Sequence, residues 1–209
     1  MATTTIDTDT DLSAVNSILG AIGQSPVTTL NYENPEISYI FNILTEVNKD
    51  VQNEGWHFNK EYHVKLSPDN NKHVVLPPNT LRYDLHADAI DKSQDLVIRK
   101  DTTDGQFKFY DLVDHTYEFT DDIYVDVTTL YKFDELPNAF QRYITYRSAV
   151  RAATQLVSNP QLVQLLQQDE AKSRAACMEY ECSIGDHNFL GHPHESYYSS
   201  YKPYRALRR

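Results

Sequence analysis

Glycine is scarce in this chain, with six in 209 residues, and the six are scattered rather than clustered. That excludes a glycine-rich phosphate loop. Gly-x-Ser-x-Gly and His-Glu-x-x-His are absent as well, so the common nucleotide, serine-hydrolase and zinc-protease signatures are missing. Cysteine is limited to Cys177 and Cys182. Five residues apart on a helical stretch, they fall on different faces, and they read as packed thiols in a reducing compartment rather than as a disulfide or metal pair. No run approaches the roughly 18 apolar residues of a membrane span. The opening Met1-Ala2-Thr3-Thr4-Thr5 has no basic start and apolar run, so no signal peptide is expected and folding in a cytoplasm is. Positive charge is also short, at 19 Lys and Arg against 30 Asp and Glu.

What is present is enough for a packed core: 40% hydrophobic residues and a net charge of −11. The charge is uneven. Residues 187–209 hold Lys202, Arg205, Arg208 and Arg209 against Glu195 alone, and removing that +3 leaves −14 on the rest. An acidic body does not grip phosphate, because DNA binding needs clustered Lys and Arg. The basic end is suited to docking on something acidic.

Periodicity divides the chain. Leu12, Val15, Ile18, Leu19 and Ile22 recur at helical spacing, with Asp7, Asp9 and Asp11 near the start and Gly23 at the stop. Asn34-Pro35 opens a second helix along Ile37, Ile40, Phe41, Leu44, Val47 and Val51, closed by Gly55. From about Asn59 to Tyr131 the period falls to two. Strand-like runs lie at 62–66, 72–75, 81–85, 96–100, 107–110, 115–119 and 123–130, and 97–110 reads as one hairpin. Helix returns at 137–157 and, after Asn159-Pro160, at 160–184, where Ala171, Ser173, Ala175 and Ala176 allow close helix approach. The expected fold is α+β: a helical bundle (residues 1–58 and 134–186) with an inserted antiparallel β-sheet lobe (59–133) and an extended C-terminal arm (187–209).

Candidate chemistry is sparse. His187, His192 and His194, with Asp186 and Glu195, have the donor types of a transition-metal site. They lie in a stretch without regular period, so solvated or interface histidines are expected and no cofactor is. Asp121 and Asp122 are the residues a glycan-hydrolysing tail enzyme would use, and such an enzyme is the rival functional reading. Trp56, the only tryptophan, stands with Phe58 at the helix-to-sheet junction, where a core plug between the lobes is expected rather than a ligand-stacking ring. In the arm, Tyr197, Tyr198, Tyr201 and Tyr204 interleave with Arg205, Arg208 and Arg209. Tyrosine and arginine are interface hot-spot residues, so the arm reads as a docking segment before a solubilising end or a nucleic-acid tail.

Several segments resemble one family. Leu12-Ser13-Ala14-Val15-Asn16-Ser17-Ile18-Leu19-Gly20-Ala21-Ile22-Gly23-Gln24-Ser25-Pro26-Val27, Glu54-Gly55-Trp56-His57-Phe58-Asn59, Leu76-Pro77-Pro78-Asn79-Thr80-Leu81-Arg82 and Tyr204-Arg205-Ala206-Leu207-Arg208-Arg209 stand in the order expected of phage tail tubular protein A. Residues 84–131 carry none of the resemblance. It implies a structural, non-enzymatic virion protein of short-tailed, podovirus-type phages: an adaptor ring, expected to have twelve subunits, between the portal and the tail nozzle (tail tubular protein B). The ring extends the DNA channel without specific DNA binding, supports tail fibres, and sends its C-terminal segment up against the portal.

Overall fold

The computed structural model describes residues 10–85, 95–102 and 105–185. The chain is α+β and divides into two compact units, a helical one (residues 10–57 and 131–185) and a sheet lobe made of the described residues between 58 and 130. The C-terminal arm lies outside the described residues.

In the helical unit, α1 (Asp11–Ala21) starts on a capping box. Thr10 N–H donates to Ser13 Oγ at 3.0 Å and Ser13 N–H to Thr10 Oγ1 at 3.3 Å, so two N–H groups that the helix leaves unpaired are satisfied. Gly23, at φ +84°, takes the left-handed conformation that ends the helix region. The Asn16 amide then pins the outgoing loop, donating to the Val27 carbonyl at 2.9 Å and accepting from Val27 N–H at 2.7 Å. Asn34 caps α2 (Pro35–Asn53) through Glu36 N–H at 3.0 Å. Ile37, Ile40, Ile43, Leu44, Val47 and Val51 bury one face of α2. Phe41, expected in that stripe, is only half-buried and takes the Tyr32 ring edge-on at 5.1 Å.

The chain re-enters this unit at Tyr131, and two buried glutamines hold it. Gln52, fully buried, accepts from Tyr131 N–H at 2.8 Å and donates to the Tyr131 carbonyl at 2.9 Å. Gln141 donates to the Phe133 carbonyl at 2.9 Å. A glutamine that mimics a backbone partner satisfies an irregular segment that would otherwise bury unpaired polar groups. The helix expected over 137–157 divides into α3 (Asn138–Ala152) and one wide π turn, Ala153–Val157. In that turn Ser158 N–H reaches the Ala153 carbonyl at 3.0 Å and Gln155 accepts from the Tyr39 hydroxyl at 2.8 Å. Ser158, at φ +53°, stops the turn, and Asn159 caps α4 (Pro160–Gly185) through Gln161 N–H at 3.1 Å.

The sheet lobe holds β1 (Lys60–Leu66), β2 (Thr80–Leu85), β3 (Leu96–Lys100), β4 (Phe107–Asp111) and β5 (Ile123–Thr129). One antiparallel sheet has the order β1-β5-β2, and β3 and β4 form the expected hairpin with Lys100 opposite Phe107. The runs at 72–75 and 115–119 are not strands: each makes one isolated bridge, Val75 to Lys108 and Asp111 to Thr116. Left-handed backbone stands at the first residue of each run, Lys72 (φ +63°) and His115 (φ +53°). Leu96, Phe109, Phe119, Ile123, Val125 and Val127 are core residues of the lobe. Tyr83 joins the two sheets, its ring 5.4 Å edge-on to Phe109 and its hydroxyl accepting from Ile98 N–H at 3.0 Å. The Lys108 side chain, 5% exposed, is compensated by Asp101 at 2.8 Å and by His73 Nδ1 at 3.2 Å.

Candidate assembly surface

The α3 helix organises the helical unit, and the spacing of its side chains says which side meets what. At about 100° per residue, Arg142 and Arg151 point to opposite sides of the helix. Arg151 pairs with Glu46 on α2 at 2.5 Å, and Arg147 with Glu54 at the end of α2 at 3.3 Å. One side of α3 is thus turned to α2.

Glu54 is the centre of a clamp. It also receives Arg174 of α4, bidentate, at 3.3 Å to Oε1 and 3.0 Å to Oε2. Both guanidiniums donate to the Tyr143 hydroxyl, Arg147 at 3.1 Å and Arg174 at 2.6 Å, and the Tyr143 ring is 1% exposed. The Glu54 bonds first, then Tyr143, push the Arg174 pKa above its ordinary value. Three helices therefore meet at one half-buried carboxylate, and forked donors hold them in a fixed rotation. Beside the clamp, Cys177 is fully buried and its thiol donates to the Ala139 carbonyl at 3.1 Å, while Cys182 is exposed. Burial pushes the Cys177 pKa up to about 12.

On the side away from α2, the described residues leave α3 open. Two adjoining hollows of about 250 and 210 Å³ share Arg142 and Tyr146 as their floor. The α1 wall consists of Ser13, Ala14, Ser17 and Ala21, and the α4 wall includes Leu166, Asp169, Ser173 and Ala176. The lining has one carboxylate, Asp169, bound to Lys172 at 3.0 Å, and neither histidine nor cysteine. That set holds no acid–base pair. It offers small side chains and hydroxyls along a helix-wide trough, which is packing chemistry. Arg142 is exposed and makes no ion pair among the described residues.

Trp56 is 5% exposed and packs within the helical unit, its indole N–H donating to the Val51 carbonyl at 2.7 Å and its ring meeting Phe140 edge-on at 4.9 Å. Phe58 is half-buried. Asp122 pairs with Lys65 at 2.7 Å, and that hydrogen bond holds its carboxyl below the usual range, while Asp121 sits exposed beside it. Tyr197, Tyr198, Tyr201, Tyr204, Arg205, Arg208, Arg209, His187, His192 and His194 lie outside the described residues. Among the described residues no three His, Cys, Asp or Glu side chains are grouped to hold a metal, and no helix is long and apolar enough to cross a membrane. The clamp was not anticipated from sequence. Its one local trace is Tyr143 and Arg147 at i and i+4, a common spacing.

The helical unit is closed by a polar clamp and carries an open trough beside α3. The family model for tail tubular proteins matches residues 12–187, most of the chain and both units, and the chain belongs to that family. A search of the curated proteins finds no match. The protein is accordingly a structural constituent of a phage tail, from a family of tail components rather than enzymes.

Proposed function

We propose that this chain forms the adaptor ring, of twelve copies, between the portal and the tail nozzle, extends the DNA channel, and supports tail-fibre attachment. The observation that carries the reading is the tail tubular match running through both the helical unit and the sheet lobe. The charge distribution supports it: a body of −14 leaves translocating DNA unbound, because it offers few cations to exchange for the counterions on phosphate. The arm supports it too. Tyr197, Tyr198, Tyr201 and Tyr204 supply rigid contact area, and Arg205, Arg208 and Arg209 supply forked donors for portal carboxylates.

The test is co-sedimentation with purified portal, followed by imaging of the complex. The full chain co-sediments as a ring on the portal. Deleting residues 196–209 leaves circular dichroism unchanged and abolishes attachment. Changing the three arginines to Ala weakens attachment in a salt-dependent way, and the tyrosine changes do so with less salt dependence. Normal attachment by the truncated chain removes the arm from the mechanism. An image with no ring on the portal removes the adaptor reading itself.

A further inference from the structure

Lys108, on β4 of the sheet lobe, is a buried amine held between a carboxylate and a base. Its Nζ lies 2.8 Å from Asp101 Oδ2 and 3.2 Å from His73 Nδ1. An ammonium has three donors and no acceptor, so the Nδ1 that faces it is the unprotonated nitrogen of a neutral imidazole. Arg99 stands directly opposite Lys108 in the β3–β4 register, with its guanidinium over the Tyr110 ring at 4.0 Å.

Backbone bonds hold the three reacting side chains in place. Asp101 N–H donates to the Gln106 carbonyl at 2.8 Å, and the Asp101 carbonyl accepts from Gly105 N–H at 2.9 Å, which ties down the turn after β3. The segment that carries His73 is joined to β4 by Leu76 N–H to the Phe107 carbonyl at 3.0 Å and by Phe109 N–H to the Val74 carbonyl at 2.9 Å. His73 N–H donates to Asp69 Oδ1 at 2.8 Å, and its ring meets Tyr117 edge-on at 6.3 Å. Amine, carboxyl and base are preorganised, and that removes much of the entropic barrier to a reaction between them.

Burial also works against the ionised pair. In water a lysine and a carboxylate stay ionic because both are strongly hydrated. Here the two side chains are only 5% and 17% exposed, so most of that hydration is stripped at a cost. Arg99 adds a like charge directly across the strands, which is unfavourable. Condensation to an amide removes both charges of the pair and returns one water to bulk.

We propose that Lys108 and Asp101 condense to an isopeptide bond with His73 as the base, closing the β3–β4 turn covalently. His73 Nδ1 takes one proton from the ammonium, and the Nζ lone pair attacks Asp101 Cγ. The Nζ–Cγ bond forms and one Cγ–Oδ bond breaks. That oxygen leaves as water with two of the three ammonium protons, one of them delivered by His73, and the third proton stays on the amide nitrogen. The charges of ammonium and carboxylate cancel, and no oxidant or further reactant enters.

The experiment is the intact mass of the full chain, followed by trypsin digestion. The wild type is lighter than its sequence by one water, about 18 Da. Digestion leaves residues 101–132 as one peptide, because Lys108 is no longer cut. Lys108→Arg keeps the ion pair without a condensing amine and shows the full sequence mass. Asp101→Asn reaches the same amide by losing ammonia, about 17 Da. His73→Ala slows condensation by about a hundredfold, the contribution of one general base, read as the condensed fraction against time after expression. A succinimide at Asp104-Gly105 also loses one water, but it leaves Lys108 open to trypsin and reverts in mild base. A wild type at full sequence mass, a light peptide that trypsin still cuts at Lys108, or the same loss of water from Lys108→Arg overturns the bond. Condensation of His73→Ala at the wild-type rate overturns the role of His73.

Discussion

Replacing Trp56 by Ala tests how the helical unit is held together. Truncating a large buried aromatic removes its transfer free energy and leaves a cavity, together about 3–5 kcal/mol. The surroundings favour the upper half of that range. The indole N–H loses its 2.7 Å bond to the Val51 carbonyl, a net contribution of about 1 kcal/mol. The Val51 carbonyl keeps a second donor, Glu54 N–H at 3.2 Å, so it is not left orphaned. The edge-on contact with Phe140 is lost too, worth about 0.5–1.5 kcal/mol beyond area. Phe140 in turn meets Tyr180 edge-on at 5.9 Å, so the void opens onto the contact between α3 and α4.

Trp56→Phe separates these contributions. It keeps most of the packing and gives up the N–H bond and part of the ring volume, for about 1–2 kcal/mol. At about 2–4 °C per kcal/mol for a chain of this size, Ala lowers Tm by roughly 8–20 °C and Phe by only a few degrees. Far-ultraviolet circular dichroism follows both variants. In the wild type, fluorescence of this single tryptophan reports the same transition with a red shift on unfolding. An Ala variant that melts with the wild type refutes the argument, and so does a wild-type emission already red-shifted in the folded state.

Glu54→Gln leaves Arg147 and Arg174 facing each other across a neutral amide; it lowers stability by about 1–2 kcal/mol in low salt and less in high salt, seen in denaturant midpoints at two ionic strengths. Of the two thiols, Cys182 reacts with a disulfide reagent in the folded chain and Cys177 only after denaturation, so native titration counts one thiol and denatured titration two. Because burial raises the Cys177 pKa from 9.0 to about 12, the unfolded chain ionises first between those values. Its contribution to stability is therefore full below pH 9 and is lost as pH rises toward 12, and Cys177→Ala flattens that alkaline loss. Asn159→Ala removes the cap on α4 and costs about 1 kcal/mol, read from the helical melting transition.

The α+β layout was legible because it rests on period. The α1 and α2 stripes bury Val15, Ile18, Ile40, Leu44, Val47 and Val51, and the caps at Asn34 and Asn159 stand where the sequence put them. One group of misses comes from side chains acting as backbone. Gln52 and Gln141 are buried, which composition assigns to the surface, because they complete the hydrogen bonds of an irregular return strand of chain. The segments 72–75 and 115–119 alternate like strands, yet each begins on a left-handed residue, Lys72 or His115, that alternation cannot reveal.

The candidate surface was harder to read, for a reason that also says what kind of protein this is. Catalytic sites announce themselves through residue types whose chemistry is costly to keep anywhere else. An assembly surface uses Ser, Ala, Arg and Tyr, which every helix carries. Two of the small residues expected on α4, Ser173 and Ala176, line the trough. The α1 wall went unnoticed because Ser13, Ala14 and Ser17 read as ordinary helix positions until α3 is set beside them. What distinguishes the trough is relation: among the described residues Arg142 has no counter-ion on one side of α3, while Arg147 and Arg151 have theirs on the other.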